Sequence, residues 1–176
     1  MQLPAHEDLG HGITAIDTGY VRPFFDASHL VVEGERAAFV DVGTGFSVPG
    51  LLGVLEAKGL PPEAVDWVVL THVHLDHAGG AGHILRRLPN ARLVVHPRGA
   101  RHMVDPSKLW AGAAAVFGEE AMRRSYGELL PVPEPRVVTV AGGETSELRG
   151  RPLVFLDTPG VARHHVCVWD EASRSM

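Results

Sequence analysis

The sequence predicts an α/β fold, in which strands and helices alternate along the chain. Residues 65–70 form a continuous apolar run between a proline pair and a histidine-rich loop, which is typical of a strand buried on both faces. From this strand to residue 104, helical and strand patterns follow one another. With 176 residues, of which 45% are hydrophobic, we expect one domain over residues 1–176 with a substantial core.

The first half of the chain opens with an antiparallel hairpin. Residues 29–32 and 37–42 are β-rich runs separated by a short segment that contains a turn glycine. A helix is predicted over residues 49–58, because Pro49 suits a first helical turn and Gly59 suits the C-terminal stop. The buried strand and its histidine loop come next, followed by a helix over 78–88, a strand over 92–96 and a helix over 97–104.

The second half begins with helix and ends with strands. Residues 107–126 are mostly good helix formers interrupted by two glycines, which predicts a helical hairpin. β-rich runs separated by glycine and proline turns then predict strands at 136–140, around Leu148, at 152–157 and at 164–169. The turn-like residues 170–175 should lead into a returning partner strand, and only Met176 follows. An unpaired edge leaves backbone groups unsatisfied, so we expect that the C-terminal part of the fold is missing or is completed by a partner.

Composition excludes several classes of function. The net charge is −5 with scattered Lys and Arg, which argues against a nucleic-acid partner. Residues 1–20 lack a basic segment followed by an apolar run, so we expect no signal peptide, and no apolar run is long enough to predict a membrane span. Its one cysteine, Cys167, fits a reducing compartment. We therefore expect a soluble, cytoplasmic protein that acts on a small-molecule substrate.

Residues 72–77 concentrate metal-binding side chains in one loop. His72 and His74 are two residues apart directly after the buried strand, so both imidazoles can point into one site. Asp76 and His77 add a carboxylate and an imidazole, which suit a second ion or a base beside the first. The sequence therefore predicts His72, His74, Asp76 and His77 as metal ligands, with Asp76 as the candidate catalytic residue.

Three segments carry a resemblance to a known family. Residues 71–80 (THVHLDHAGG) resemble the HxHxDH signature of the metallo-β-lactamase superfamily. Residues 41–45 (DVGTG) resemble its early aspartate-glycine turn, and residues 157–160 (DTPG) resemble the segment before its third histidine ligand. The resemblance covers nearly the whole chain and implies an αββα sandwich. It further implies that His72 and His74 hold one metal, that Asp76 and His77 hold a second, and that a bridging water is the nucleophile.

The chain departs from the family pattern in two ways. Val161 stands where the family has its third histidine, and valine has no lone pair for a metal. The family's bridging aspartate and final histidine would lie beyond Met176. Catalytic zinc usually has three protein ligands, so we expect one or two weakly held zinc ions, or iron.

The remaining histidines are expected to be structural. His164 and His165 follow Val161, but in a strand only one of them faces each side, and both lie three or more residues too far along to replace the missing ligand. We expect them to be core or surface residues. The same holds for His96 and His102, and Cys167 is expected to be a small buried side chain.

Three hypotheses follow for the function. The first is a metal-dependent hydrolase that attacks an ester, thioester or lactam carbonyl and is impaired in this chain. The second is an iron-dependent sulfur dioxygenase, because the same superfamily uses a site of two histidines and one carboxylate. The third is a non-catalytic fragment that forms a homo-oligomer or requires a complementing chain.

Overall fold

The computed structural model describes residues 2–176. Its strands are β1 (His6–Gly10), β2 (Ile13–Asp17), β3 (Ala27–Glu33), β4 (Arg36–Val40), β5 (Val65–Val69), β6 (Arg92–Val95), β7 (Val137–Thr139), β8 (Thr145–Leu148), β9 (Arg151–Asp157) and β10 (Val166–Asp170). Its α-helices are α1 (Val48–Ala57), α2 (Leu75–Ala78), α3 (Ala81–Leu85), α4 (Pro97–Val104), α5 (Ser107–Phe117) and α6 (Glu119–Tyr126), and short 3₁₀ turns cover Pro62–Ala64 and Glu134–Arg136.

A seven-stranded sheet forms the centre of the fold, with its strands in the order β1 to β7. The pairs from β1 to β4 are antiparallel, whereas β4 to β7 run parallel to one another. The predicted hairpin is present as β3 and β4. It does not open the domain, however, because β1 and β2 precede it. The sequence does not predict β1, because all five of its residues are exposed and the strand lacks the alternation of buried and exposed side chains.

Helices cover one face of this sheet. The main core cluster joins side chains of the central strands, such as Phe39 and Val68, to Leu51 and Leu55 of α1 and to Ile84 of α3. Burial of such side chains is the main favourable term in folding. Within the helix predicted over 78–88 the structure has only the shorter α3, and α2 lies in the histidine loop before it. α4 has the predicted bounds, and α5 and α6 form the predicted helical hairpin.

The opposite face of the large sheet packs against a three-stranded antiparallel sheet with the strand order β10, β9, β8. Two clusters join the sheets: one contains Val31 and Leu153, and the other contains Val69, Val94 and Phe155. Residues 2–176 therefore supply three successive layers, namely helices, the large sheet and the small sheet. The predicted α/β fold is confirmed.

The small sheet is tied to its surroundings by polar contacts at β9 and β10. The guanidinium of Arg151 donates from Nε to Oδ1 of Asp170 at 2.9 Å and from another nitrogen to the carbonyl oxygen of His11 at 2.7 Å. The predicted turn after β10 is present and is closed by a bridge between Asp170 and Ser175. No helix within residues 2–176 combines the length and the apolar character that crossing a membrane requires.

Candidate metal centre

The histidine loop leaves the C-terminal end of β5 at the middle of the large sheet. Leu70 still pairs with β6, since its N–H donates to the carbonyl oxygen of Val94 at 2.9 Å. The loop then turns into α2, whose first hydrogen bond runs from the N–H of Ala78 to the carbonyl oxygen of His74 at 2.8 Å. Parallel strands end at a common edge, and ligands of α/β sheets bind at that edge. The loop therefore lies where a site is expected.

The three loop histidines form a cluster around His72. The His72 ring centroid is 4.5 Å from that of His74 and 4.3 Å from that of His77. His72 is buried, with 4% of its surface exposed, whereas His74 is exposed. Oδ2 of Asp76 lies 3.6 Å from Nε2 of His77. The structure thus brings together the four residues that the sequence singled out.

Asp41, from the turn after β4, holds this cluster in place. Its Oδ1 accepts from the N–H of Thr71 at 2.8 Å, and its Oδ2 accepts from the Thr71 hydroxyl at 2.7 Å. The same Oδ2 lies 2.9 Å from Nδ1 of His77. Because the carboxylate meets three groups of the loop, it fixes the position of both Thr71 and His77.

These hydrogen bonds also set which nitrogen of each ring is available. The Thr71 hydroxyl donates its only hydrogen to Asp41, so at its other contact, 2.9 Å from Nδ1 of His72, it must accept. His72 therefore carries its proton on Nδ1 and has its lone pair on Nε2. His77 likewise directs Nδ1 at Asp41. A histidine that binds a metal typically donates its other N–H to such a partner.

The environment shifts the pKa values of these two histidines in opposite directions. Burial, reinforced by the neighbouring His77 and His74, lowers the pKa of His72 to about 3, so its imidazole is neutral. Burial alone would also lower the pKa of His77. The hydrogen bond and charge of Asp41, together with Asp26 and Asp76, outweigh it and raise the pKa of His77 to about 9. Nε2 of His77 must therefore lose a proton before it can bind a cation.

The donor set fits a divalent cation. Three carboxylates surround His77: Asp41, Asp76 and Asp26, whose Oδ1 lies 3.7 Å from Nδ1 of His77. Burial raises the pKa of Asp26, and the charge of Asp76 raises it further, because like charges crowd this site. An excess of negative charge beside imidazole nitrogens suits zinc, iron or manganese.

One subset of these groups lies especially close together. Ligand atoms of Asp41, His72 and His77 all fall within 4.8 Å of one another. Asp41 is nevertheless better described as a support than as a ligand, since its oxygens already accept from Thr71 and His77. His74 and Asp76 lie beside this triplet. The sequence does not predict Asp26 and Asp41 as parts of the site, although the turn that begins with Asp41 resembles a segment of the family.

The structure contradicts the expectation that His164 and His165 lie too far along the chain to reach the site. The ring centroid of His165 is 5.3 Å from that of His72, and the ring centroid of His164 is 6.3 Å from that of His74. Val161 is 71% exposed. The N–H of Val166 donates to the carbonyl oxygen of Thr71 at 2.8 Å, and this bond holds the start of β10 against the metal loop.

Two of the other residues expected to be structural, His96 and Cys167, have defined contacts. His96 precedes α4, and its Nδ1 accepts from the N–H of Arg98 at 3.0 Å, which caps the helix. Cys167 is half-buried, and its sulfur accepts from the Thr158 hydroxyl at 3.3 Å.

An open, largely apolar cavity of about 560 Å³ adjoins the candidate metal centre. Apolar residues such as Ala15, Phe24 and Phe25 line it together with the polar His6, Glu7 and Asp17, and it reaches Asp26, which faces His77. The segment after β2 also meets α6, where the hydroxyls of Tyr20 and Tyr126 are 2.7 Å apart. The metal centre therefore has an apolar wall on the side of the residues that precede β3.

Known proteins resemble this chain in sequence. It is 31% identical to the metallo-β-lactamase fold-containing protein ST1585 of Sulfurisphaera tokodaii, over 89% of this chain and 58% of that protein. It is 29% identical to the human acyl-coenzyme A thioesterase MBLAC2, over 95% of this chain and 62% of that protein. The chain thus spans about three fifths of the length of these relatives.

Solved structures share the fold. The subclass B3 metallo-β-lactamase MEM-A1, from a soil metagenome library, superposes with a TM-score of 0.69 at 22% identity, over 93% of this chain and 56% of that one. The metallo-β-lactamase SMB-1 gives a TM-score of 0.70 at 17% identity, over 93% of this chain and 57% of that one. At such identities, the likeness concerns the fold alone.

A family model decides the classification. The model of the metallo-β-lactamase superfamily matches residues 21–175, which include the histidine loop and the segments around Asp41 and Asp157. This match agrees with the layered fold and with the grouping of the loop side chains. The chain therefore belongs to the metallo-β-lactamase superfamily.

Proposed function

We propose that this chain provides the metal-binding part of a hydrolase that cleaves an ester, thioester or lactam carbonyl. The grouping of His72, His74, Asp76 and His77 at one sheet edge supports this proposal. Zinc is the proposed metal and iron the alternative, since imidazole and carboxylate ligands suit both. Such an ion would polarise the carbonyl and make a bound water more acidic.

The residues of the chain would each have a separate role. His72 and His74 would bind the ion through imidazole nitrogens, while Asp41 and Thr71 orient the rings. Asp76 would take a proton from the attacking water and pass it to the leaving group. Its side chain is 31% exposed, which leaves it accessible to both.

Among the three carbonyl classes we propose an acyl thioester. The cavity next to Asp26 supports this proposal, because its largely apolar lining suits the hydrocarbon chain of an acyl group. The chicken and human MBLAC2 proteins, 27% and 29% identical to this chain, are named acyl-coenzyme A thioesterases. Both observations favour a thioester over a lactam.

Thioester hydrolysis by the zinc-loaded chain would test this proposal. We expect hydrolysis of a long-chain acyl thioester above the background rate, and its loss on addition of a chelator or in Asp76→Asn. Ala15→Phe would fill the cavity, so it should slow hydrolysis of the long acyl chain while leaving an acetyl thioester unaffected.

Metal analysis provides the matched control. The double variant His72→Ala/His74→Ala should bind no zinc and should be inactive. Undiminished zinc content in that variant would refute the assignment of the ligands. Zinc binding without hydrolysis of any thioester, ester or lactam would instead favour a non-catalytic role.

We also propose that the chain associates through the outer side of β10, in a homodimer or with a complementing chain. Within residues 2–176, β10 is an edge strand of the small sheet, and exposed edges tend to pair. Light scattering at micromolar concentration tests this, and a monodisperse monomer would contradict it. The single free thiol, Cys167, supports a proposed location in the reducing cytoplasm.

A further inference from the structure

His165 lies beside the metal loop, in a position that the family signature does not assign to a ligand. Its ring centroid is 5.3 Å from that of His72. The N–H of the next residue, Val166, donates to the carbonyl oxygen of Thr71 at 2.8 Å. A backbone hydrogen bond between the start of β10 and the metal loop therefore places His165 beside the loop, independently of any flexible side chain.

The separation of these rings matches that of two imidazoles on one ion. Zinc–nitrogen bonds of about 2.0–2.1 Å, with the nitrogen roughly 1.1 Å from the ring centre, place two tetrahedral ligands about 5 Å apart between ring centres. The observed 5.3 Å between His72 and His165 agrees with this value.

A threonine holds one ring nitrogen of His165, as Thr71 does for His72. Nδ1 of His165 lies 2.9 Å from the Thr158 hydroxyl, which also contacts Sγ of Cys167 at 3.3 Å. This contact occupies Nδ1, so Nε2 is the ring nitrogen that is left to face an ion. His165 thereby has the same arrangement as a metal-binding histidine whose other nitrogen is hydrogen-bonded.

The neighbouring candidates for a third ligand are less suitable. Val161 has no lone pair and is 71% exposed. The ring of His164 packs against α4. Its Cδ2 lies 3.6 Å from the point that a Cβ would occupy if Gly99 carried a side chain. Its buried Nε2 has no hydrogen-bond partner among residues 2–176, but its ring centroid is 6.3 Å from that of His74, which is farther than the roughly 5 Å expected between two ligands of one ion.

We propose that His165 supplies the third imidazole to the ion held by His72 and His74. The first metal position of this chain would then be completed by a residue four positions after the one at which the family signature has its histidine. This inference rests on the proposed metal site, and it removes the ligand deficit that Val161 creates.

Cobalt(II) binding by the full chain tests this inference. His165→Asn is the informative variant, because its amide can still reach the Thr158 hydroxyl while nothing occupies the position of Nε2. His164→Asn is the matched control. We expect cobalt affinity to fall at least about tenfold in His165→Asn and to stay within about threefold of wild type in His164→Asn.

A spectroscopic readout separates ligation from indirect support. X-ray absorption of the cobalt-loaded proteins should count one imidazole fewer in His165→Asn than in wild type, and an unchanged count would overturn the inference. Loss of an imidazole in His164→Asn instead would also overturn it. If cobalt binding is lost in His72→Ala/His74→Ala but keeps wild-type affinity in His165→Asn, the proposed function stands and this inference fails. A wild-type chain that binds no cobalt would refute both.

Discussion

The carboxylate of Asp41 accepts a hydrogen bond from Nδ1 of His77 at 2.9 Å, across 36 positions of the sequence. Asp41 reaches this position with a φ of +54°, in the left-handed region that residues other than glycine seldom adopt. Its carbonyl oxygen accepts from the hydroxyl of Ser28 at 2.7 Å, which helps to hold the strained turn. Such strain is found most often at functional sites.

Asp41→Asn should therefore weaken zinc binding without loss of the fold. Asparagine tolerates left-handed backbone, but its amide cannot balance the charge of His77 or accept from three donors. We expect zinc affinity to fall about 10–100-fold in a competition titration with a chelator. Asp8→Asn, at an exposed position, is the control and should bind as wild type does. Equal affinities in the two variants would mean that Asp41 does not orient the ligands.

Val161→His should raise zinc affinity, because it adds an imidazole after the Asp157–Gly160 segment. The side chain at position 161 is 71% exposed, so the loop must turn inward before a histidine there can bind the ion. The gain should therefore not exceed about tenfold, since ordering the loop opposes binding and His165, by the inference above, already supplies a third imidazole. A zinc titration of the two proteins measures this. An affinity no higher than that of the parent would show that residue 161 does not reach the ion.

Two helical glycines should respond in opposite ways to alanine. A Cβ at Gly82 in α3 would overlap the backbone carbonyl of Leu130, whereas a Cβ at Gly112 in α5 meets nothing within 4 Å. We expect Gly82→Ala to lower the free energy of unfolding by about 1–3 kcal/mol. Gly112→Ala should be neutral or should stabilise the protein by up to about 1 kcal/mol, through helix propensity. Urea denaturation tests the pair, and similar values for both would contradict the close packing of α3.

The buried pair of Arg151 and Asp170 should make stability depend on acid pH. The hydrogen bond from Arg151, with help from Ser173, lowers the pKa of Asp170 from 3.8 to about 2. A lowered pKa in the folded state stabilises the protein above the unfolded value and ceases to do so as pH falls through the folded value. The free energy of unfolding should thus fall by about 2 kcal/mol between pH 5 and pH 2 on account of this one group.

Asp170→Asn should abolish that part of the pH dependence and should be less stable at pH 6, because it leaves Arg151 without its charged partner. Glu171→Gln changes an exposed neighbour and should retain the slope of the parent. Urea denaturation between pH 2 and pH 6 compares the three proteins. A slope that persists in Asp170→Asn would assign the acid sensitivity to another group.

Local patterns predicted the parts of the fold that local physics determines. The buried strand β5 and the helix α4 were predicted because an uninterrupted apolar run and a proline at the first helical position act within a few residues. β1 has no buried face, so only its pairing with β2 defines it as a strand. Tertiary pairing of this kind is not encoded in the periodicity of one segment.

The candidate site likewise contains residues that a local pattern predicts and residues that only tertiary contacts bring together. His72, His74, Asp76 and His77 were found because all four lie in one loop with ligand spacing. The approach of Asp26 and His165 to that loop depends on how distant strands pair. The prediction that His165 lies too far along the chain to reach the site was wrong, because separation in sequence does not measure distance in the fold. The DVGTG turn was noted through family resemblance, but its hydrogen bonds to Thr71 and His77 required the structure.

The support that Asp41 gives to His77 has a consequence for how the site comes into being during folding. The N–H of Asp41 donates to the carbonyl oxygen of Val69, and the N–H of Val42 donates to that of His77. The carboxylate therefore meets the loop only when β4 and β5 are paired in one particular register, and a slip by one residue would turn it to the opposite face. High-affinity metal binding should consequently emerge only after these two strands have aligned, which makes it a kinetic marker for that step of folding.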